Sequence, residues 1–207
     1  MLASSEELQR RRSPRDLLEF VQGVRDAVEA NPAEMRDGIL KRGLYKEFID
    51  EILPLSQFAV VAYPATYSVE PVLGSQGYDA VVYDGAGRVF EHVEMTVPHD
   101  GAEDARDARK RVEHGIGIVH VGDPGSDIDE IARFVLKTCA SKAEKDYSDA
   151  TVVVVVRVLA AFAGFEKDYE EQVASLRARV AQVEFKARRV VLFFPPDRIE
   201  VVQSQRP

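Results

Sequence analysis

The segment TVVVVVRVL, residues 151–159, constrains the fold more than any other part of this sequence. Valine and threonine are branched at Cβ and favour strands. A strand with one face in water alternates apolar and polar residues, whereas this run is almost continuously apolar, so it predicts an interior strand covered on both faces. A helical stretch over about 166–187 and a second strand-like segment, RRVVLFF (188–194), follow. Strand, helix and strand at this spacing predict a parallel pair joined by a crossover.

The middle of the chain predicts an antiparallel hairpin. The segments YDAVVYD (78–84) and RVFEHVEMTV (88–97) are strand-like, and the glycine-rich residues between them suit a turn. We interpret 64–77, which is rich in proline and glycine, as a loop. A charged helix over about 102–114, a short strand over 117–121 and a helix capped by Ser126 are predicted to follow.

These elements together predict an α/β fold, with a mixed central β-sheet flanked by helices and an N-terminal helical extension. Residues 1–13 are interpreted as a flexible polar arm. A single domain is expected over 14–207, in which 14–60 are helical, 61–195 hold the sheet core and 196–207 form a tail.

Composition excludes several classes of protein. The chain has 207 residues, of which 45% are hydrophobic, and no apolar run is long enough to span a membrane. The net charge of −8 argues against a general nucleic-acid coat protein. A lone cysteine, Cys139, cannot form an internal disulfide, so a cytoplasmic location is expected. No phosphate-binding loop, Cys-x-x-Cys pair or Gly-x-Ser-x-Gly elbow is present, although a Ser, His and Asp arrangement stays open.

Three acidic residues fall in apolar surroundings. Asp79 opens the first hairpin strand, Glu94 lies within the second, and Glu51 projects from the apolar stripe of a helix over about 33–60. Two carboxylates held on neighbouring strands repel each other unless a cation lies between them. Oxygen ligands suit Mg²⁺ or Mn²⁺. The alternative for each residue is a charge that reaches solvent at the end of its element.

The three acids come in an order that resembles the restriction-endonuclease-like PD-(D/E)XK nuclease superfamily. The matching segments are KEFIDEILPL with Glu51, GYDAVVYD with Asp79 and VEMT with Glu94, and the resemblance covers about 40–195. It implies a restriction-endonuclease-like core and Mg²⁺-dependent phosphodiester hydrolysis on DNA. Asp79 and Glu94 would hold Mg²⁺ (or Mn²⁺), and Glu51 would support the metal or its water.

One residue departs from that superfamily's pattern. Thr96 stands where the resemblance requires a catalytic lysine, and it is predicted to be a catalytic residue that ligates or orients a water, although threonine carries no positive charge. Lysines in such superfamilies can move to a nearby helix, so Lys110 is predicted to take the catalytic role, with Arg109 and Arg111 binding phosphate. The alternative is that this helix simply presents a solvated charged face.

Other functions stay open at this point. His92 shares a strand face with Glu94, and His99 follows the strand, which leaves a transition-metal site with both histidines as an alternative. The missing lysine and the acidic charge also favour a catalytically degenerate nuclease fold that binds or regulates a partner. A third alternative is an unrelated interaction protein. A homodimer and a protein partner are both compatible with the sequence.

Overall fold

The computed structural model of the chain describes residues 3–74, 76–98, 101–114, 124–156 and 166–204. The predicted strand over 117–121 lies outside these residues. The helices are α1 (Ser5–Leu8), α2 (Pro14–Glu29), α3 (Pro32–Ile39), α4 (Tyr45–Glu47), a π-helix (Phe48–Ile52), α5 (Leu53–Ala62), α6 (Gly101–His114), α7 (Pro124–Ala143) and α8 (Glu166–Val180). The strands are β1 (Ser68–Pro71), β2 (Ala80–Tyr83), β3 (Val89–Thr96), β4 (Asp146–Val155), β5 (Lys186–Phe194) and β6 (Arg198–Ser204).

The six strands form one mixed sheet in sequence order, β1-β2-β3-β4-β5-β6. The predicted hairpin is confirmed, because β2 and β3 pair antiparallel with Ala80 opposite Val93. The predicted crossover pair is also confirmed, because β4 lies between β3 and β5 and is parallel to both. The chain is therefore a mixed α/β protein.

The valine run of β4 is interior because both of its faces are covered. Val152 and Val154 belong to a core cluster that includes residues of α7 and α8. Val153 and Val155 belong to a second cluster on the opposite face, with residues of α2 and α5. All four side chains are at most 1% exposed. Burying each such side chain stabilises the fold by roughly 1.5–3 kcal/mol. A strand that is apolar on both faces is therefore most stable in the interior of the sheet.

Both edge strands differ from the sequence interpretation. The segment assigned to a loop contains β1, which pairs with β2, and the segment assigned to a tail contains β6, which pairs with β5. Helix α8 also ends at Val180, earlier than predicted. Edge strands are short and half exposed, so their hydrophobic pattern is weak. Their backbone pairing with an inner strand, rather than their side chains, determines their conformation.

The N-terminal residues, interpreted from sequence as a polar arm, pack against the sheet in the structure. Ser4 caps α1 through a reciprocal hydrogen-bonded pair with Glu7, and Leu8 is fully buried. Arg12 exchanges two backbone hydrogen bonds with Val69 of β1, at 3.0 and 2.8 Å. The arm therefore adds a partner to the otherwise open edge of β1.

A break divides the helical stretch predicted over 33–60. Lys41 and Gly43 have positive φ angles of 48° and 54°, between α3 and α4. Downstream, the helix widens over Phe48–Ile52, where the N–H of Leu53 donates to the carbonyl of Phe48, five residues back. Such π-helical turns are rare and occur frequently at functional sites. Glu51 lies in this turn.

Within the described residues, no helix is both long and apolar enough to cross a membrane.

Candidate functional site

The hairpin brings two of the predicted acids together. The register that sets Ala80 opposite Val93, extended by one residue, sets Asp79 opposite Glu94. The backbone N–H of Asp79 donates to the carbonyl of Val93 at 2.8 Å, and Asp79 Oδ2 accepts from the N–H of Met95 at 2.7 Å. The Asp79 side chain is thus fixed at the start of β2, beside the Glu94 side chain, which is 7% exposed.

Glu51 approaches the same place from the π-helix. Burial raises the pKa of its carboxyl to about 7, opposed by the charge of Lys46 and reinforced by Glu47 and Glu94. Burial likewise raises the pKa of Asp79 to about 7, reinforced by the charges of Glu94 and Glu51. The mutual repulsion means that Asp79, Glu94 and Glu51 lie in one electrostatic neighbourhood. We refer to these three residues as the acidic cluster.

A lysine that the sequence analysis did not select lies in this cluster. The ammonium group of Lys142, in the last turn of α7, forms a salt bridge with Glu94 Oε1. Burial lowers the pKa of Lys142, but the hydrogen bond and the charge of Glu94 outweigh burial and raise it above its ordinary value. Lys142 is therefore charged at neutral pH. Its charge also lowers the pKa of Asp79 in part.

The sequence contained a signal for Lys142. Val135 and Cys139 form the buried stripe of α7, and Lys142 follows Cys139 at the next helical spacing of three. A lysine that continues an apolar stripe is as unusual as Glu51 in its own stripe. The same criterion applied to basic residues would therefore have found it. Tyr147, whose hydroxyl donates to Glu94 Oε1 at 3.2 Å, had no comparable signal.

The predicted substitutes for the missing lysine lie elsewhere. Lys110 is 3.9 Å from Asp107 on its own helix, and the Arg109 guanidinium donates to the carbonyl of Ala105. Arg111 lines a separate cavity of about 480 Å³ formed by α2, α3, the π-helix and α6. In the described part of the chain, none of the three contacts Asp79 or Glu94. Their catalytic and phosphate-binding roles stay predictions.

Thr96 is 9% exposed and lies opposite Val154 of β4. Its hydroxyl adds no charge to the acidic cluster. His92, which shares that face of β3 with Glu94 and Thr96, stacks against Tyr78 and contacts Asp149, with 2.9 Å between Nδ1 and Oδ2. The second histidine of the transition-metal alternative, His99, lies outside the described residues.

Cys139 does not provide a nucleophile. It lies in α7 and is fully buried, and burial raises the pKa of its thiol to about 12. A thiol with that pKa carries almost no thiolate at neutral pH. Its role is to pack in the core.

The carboxylate oxygens of the acidic cluster are suitable ligands for a hard divalent cation. Lys142 and Tyr147 both bind Oε1 of Glu94, and Met95 binds Oδ2 of Asp79. Among the described residues, no donor reaches the other oxygen of either carboxylate, so one oxygen of each is left for a ligand. In the part of the chain that the structure describes, no three or more His, Cys, Asp or Glu side chains converge as a complete ligand set. Mg²⁺ does not require one, because it commonly binds one or two carboxylates and retains water.

We compared the chain with known proteins: no family model, no curated protein and no solved structure matches it.

Proposed function

We propose that the acidic cluster and Lys142 form a metal-dependent site for phosphodiester hydrolysis on DNA, in a restriction-endonuclease-like core of the PD-(D/E)XK kind. The observation that carries the proposal is the position of Lys142. The half-buried ammonium group of Lys142 contacts Glu94, beside two carboxyls whose pKa values are near 7. The site therefore has the positive charge that Thr96 does not supply.

The buried carboxyls support metal binding. Asp79 and Glu94 would hold Mg²⁺ or Mn²⁺ through their uncommitted oxygens, and Glu51 would support the cation or its water. When bound, the cation lowers the pKa of a coordinated water and stabilises charge on the scissile phosphate. Burial and, after it, repulsion from Glu94 and Glu51 raise the pKa of Asp79, and that repulsion would be relieved when a cation is bound.

The protein's own residues have distinct roles in this proposal. Lys142 places a fixed positive charge where negative charge develops on the phosphate, in a site that already excludes much of the water. Tyr147 holds Oε1 of Glu94 through its hydroxyl, which orients the carboxylate. Glu51, whose carboxyl lies beside Glu94, can accept a proton from the attacking water.

The test is cleavage of plasmid and single-stranded DNA with Mg²⁺ or Mn²⁺. We expect Glu94→Ala and Lys142→Ala each to reduce cleavage by roughly 100-fold or more, as for the loss of a group that stabilises transition-state charge. Lys142→Arg should retain part of the activity. Lys145→Ala is the matched control, because it removes an exposed lysine just beyond the same helix.

Two further variants separate the alternatives. If cleavage depends on Lys110 and not on Lys142, the relocated lysine is the one predicted from sequence. If the wild type is inert and Thr96→Lys gains metal-dependent cleavage, the chain is a degenerate nuclease retained for binding. If no variant cleaves DNA, hydrolysis is rejected as the function.

A further inference from the structure

Building on the proposed nuclease function, we propose that Tyr78 and His92 form a platform on which an unpaired nucleobase stacks, which makes single-stranded nucleic acid the preferred substrate. The two rings are stacked with centroids 4.3 Å apart and an angle of 14° between their planes. We call this pair the aromatic platform.

The platform lies beside the acidic cluster because the same hairpin carries both, on the residues just before β2 and on β3. Tyr78 directly precedes Asp79, and His92 lies two residues before Glu94 on the same face of β3. Consecutive Cα atoms are about 3.8 Å apart. A base stacked on Tyr78 therefore belongs to a nucleotide adjoining the phosphate held at the cluster.

Asp149 fixes the orientation of the platform. Its Oδ2 atom lies 2.9 Å from His92 Nδ1, and this contact spans β3 and β4. The imidazole is thus held between a carboxylate and the Tyr78 ring. A ring held in one orientation loses little conformational entropy when a base stacks on its neighbour.

The approach to Tyr78 is open. Gln76 and Gly77 are exposed, and apart from its two chain neighbours no described residue has an atom within 4 Å of where a Cβ on Gly77 would be. Within the described residues, His92 is the one aromatic ring that stacks on Tyr78. By contrast, the Arg11 guanidinium covers the ring of Tyr83, 3.7 Å from its centroid.

Stacking on a protein ring selects unpaired bases. In a duplex both faces of an interior base are occupied by its neighbours, so the base must leave the stack before it can contact Tyr78. Single strands and frayed ends present such faces without that penalty, and stacking tolerates any base. The platform therefore discriminates by strandedness rather than by sequence.

The chain contains no tryptophan, which permits a direct test. Tyr78→Trp introduces a single tryptophan at the platform, and Tyr67→Trp places one in a different aromatic group, where Tyr67 contacts Tyr63 and Phe90. In buffer with chelator, a short single-stranded oligonucleotide should quench the fluorescence of Tyr78→Trp, whereas a matched duplex should not. Tyr67→Trp should be unaffected by either.

Affinity gives the second measurement. Tyr78→Leu keeps an apolar side chain against His92 but removes the aromatic face, so anisotropy should show single-strand affinity lower by about tenfold or more, with duplex affinity unchanged. Bound oligonucleotide without quenching, equal affinity in Tyr78→Leu, or no binding to either nucleic acid would each overturn the platform.

Cleavage assays distinguish this failure from failure of the proposed function. If the wild type cleaves both substrates with Mg²⁺ and Tyr78→Leu does so equally, hydrolysis stands and the platform is rejected. If no metal-dependent cleavage occurs but Tyr78→Trp is quenched and Tyr78→Leu loses affinity, the platform stands as a binding surface and hydrolysis is rejected.

Discussion

Strand β3 carries two buried glutamates on opposite faces, and their surroundings differ. Glu91 is 4% exposed and its two oxygens accept from Tyr63, Thr151 and Arg189 at 2.6, 2.5 and 3.0 Å. Glu94 is 7% exposed, but its donors Lys142 and Tyr147 both bind one oxygen.

The two glutamates also differ in how far neighbouring positive charge compensates their own charge. Arg189 balances Glu91, and burial with the neighbouring Glu91 charge raises the pKa of the Tyr63 hydroxyl, so that tyrosine stays a neutral donor. At the acidic cluster, Asp79 and Glu51 adjoin Glu94, and the half-buried Lys142 acts on Glu94 and Asp79, whereas Lys46 acts on Glu51. A buried carboxylate with an ion-pair partner and hydrogen bonds to both oxygens stabilises the fold. A group of carboxylates that lacks such partners is suited to binding a ligand.

The largest expected effect on stability comes from removing Glu91, whose charge and oxygens all have partners. Glu91→Ala leaves Arg189 without its carboxylate and two hydroxyls without their acceptor, so we expect unfolding free energy to fall by about 3–5 kcal/mol. Urea denaturation measures this loss. Glu19→Ala, which breaks an exposed pair with Arg15, is the control and should change stability by less than about 0.5 kcal/mol. A loss below about 1 kcal/mol for Glu91→Ala would remove the distinction between the two glutamates.

Metal binding at the acidic cluster should stabilise the protein. A divalent cation that binds the folded state alone adds about 2.7 kcal/mol at a concentration 100 times its dissociation constant. Thermal unfolding with Mn²⁺ should show this gain in wild type and in Asp26→Asn, whose carboxylate is exposed. It should be lost in Asp79→Asn. The same gain in Asp79→Asn would place the cation elsewhere.

Without metal, Asp79→Asn should stabilise the protein. The pKa of Asp79 rises from 3.8 to about 7 on folding, so the charged carboxylate opposes folding at pH 8. Removing that charge while Asn Oδ1 can still accept from Met95 should add on the order of 2 kcal/mol, after allowing for solvent screening. Urea denaturation in chelator at pH 8 tests the sign, and a loss of stability would show that the charge is already neutralised.

The pH dependence follows from the same shift. Between about pH 4 and pH 7, folded Asp79 holds a proton that the unfolded chain has released, so this group makes stability fall as pH rises. Glu51 contributes in the same direction, because its pKa also rises to about 7. The decline should be shallower in Asp79→Asn than in wild type. Equal slopes would exclude Asp79 as its source.

The smallest expected effect concerns Lys110. Its partner Asp107 is 3.9 Å away and the Lys110 side chain is half exposed, so Lys110→Ala should change stability by less than about 0.5 kcal/mol. Lys142→Ala should cost more, because it leaves the buried Glu94 beside two other carboxyls without its ammonium partner. Chemical denaturation of both variants at pH 8 provides the comparison. Equal effects would mean that Lys142 contributes no more than a surface lysine.

The sequence by itself determined the interior of the sheet. The β-branched run of β4 permits no exposed face, and the hairpin turn brings Asp79 opposite Glu94, so local pattern was sufficient for both. Periodicity also placed Glu51 on a buried helix face, although it did not reveal the π-helical turn. In each case the information lies in the segment itself, through side-chain spacing and Cβ branching.

Only the tertiary structure decided which segments form the edge strands and which lysine contacts Glu94. β1 and β6 exist because an inner strand offers backbone donors and acceptors, which leave little trace in side-chain pattern. Lys142 and Glu94 are 48 residues apart in the chain, so the packing of α7 on the sheet brings them together, whereas Lys110 was selected because it is close in sequence. Charge interactions depend on distance in space and on burial, and neither is set by position along the chain.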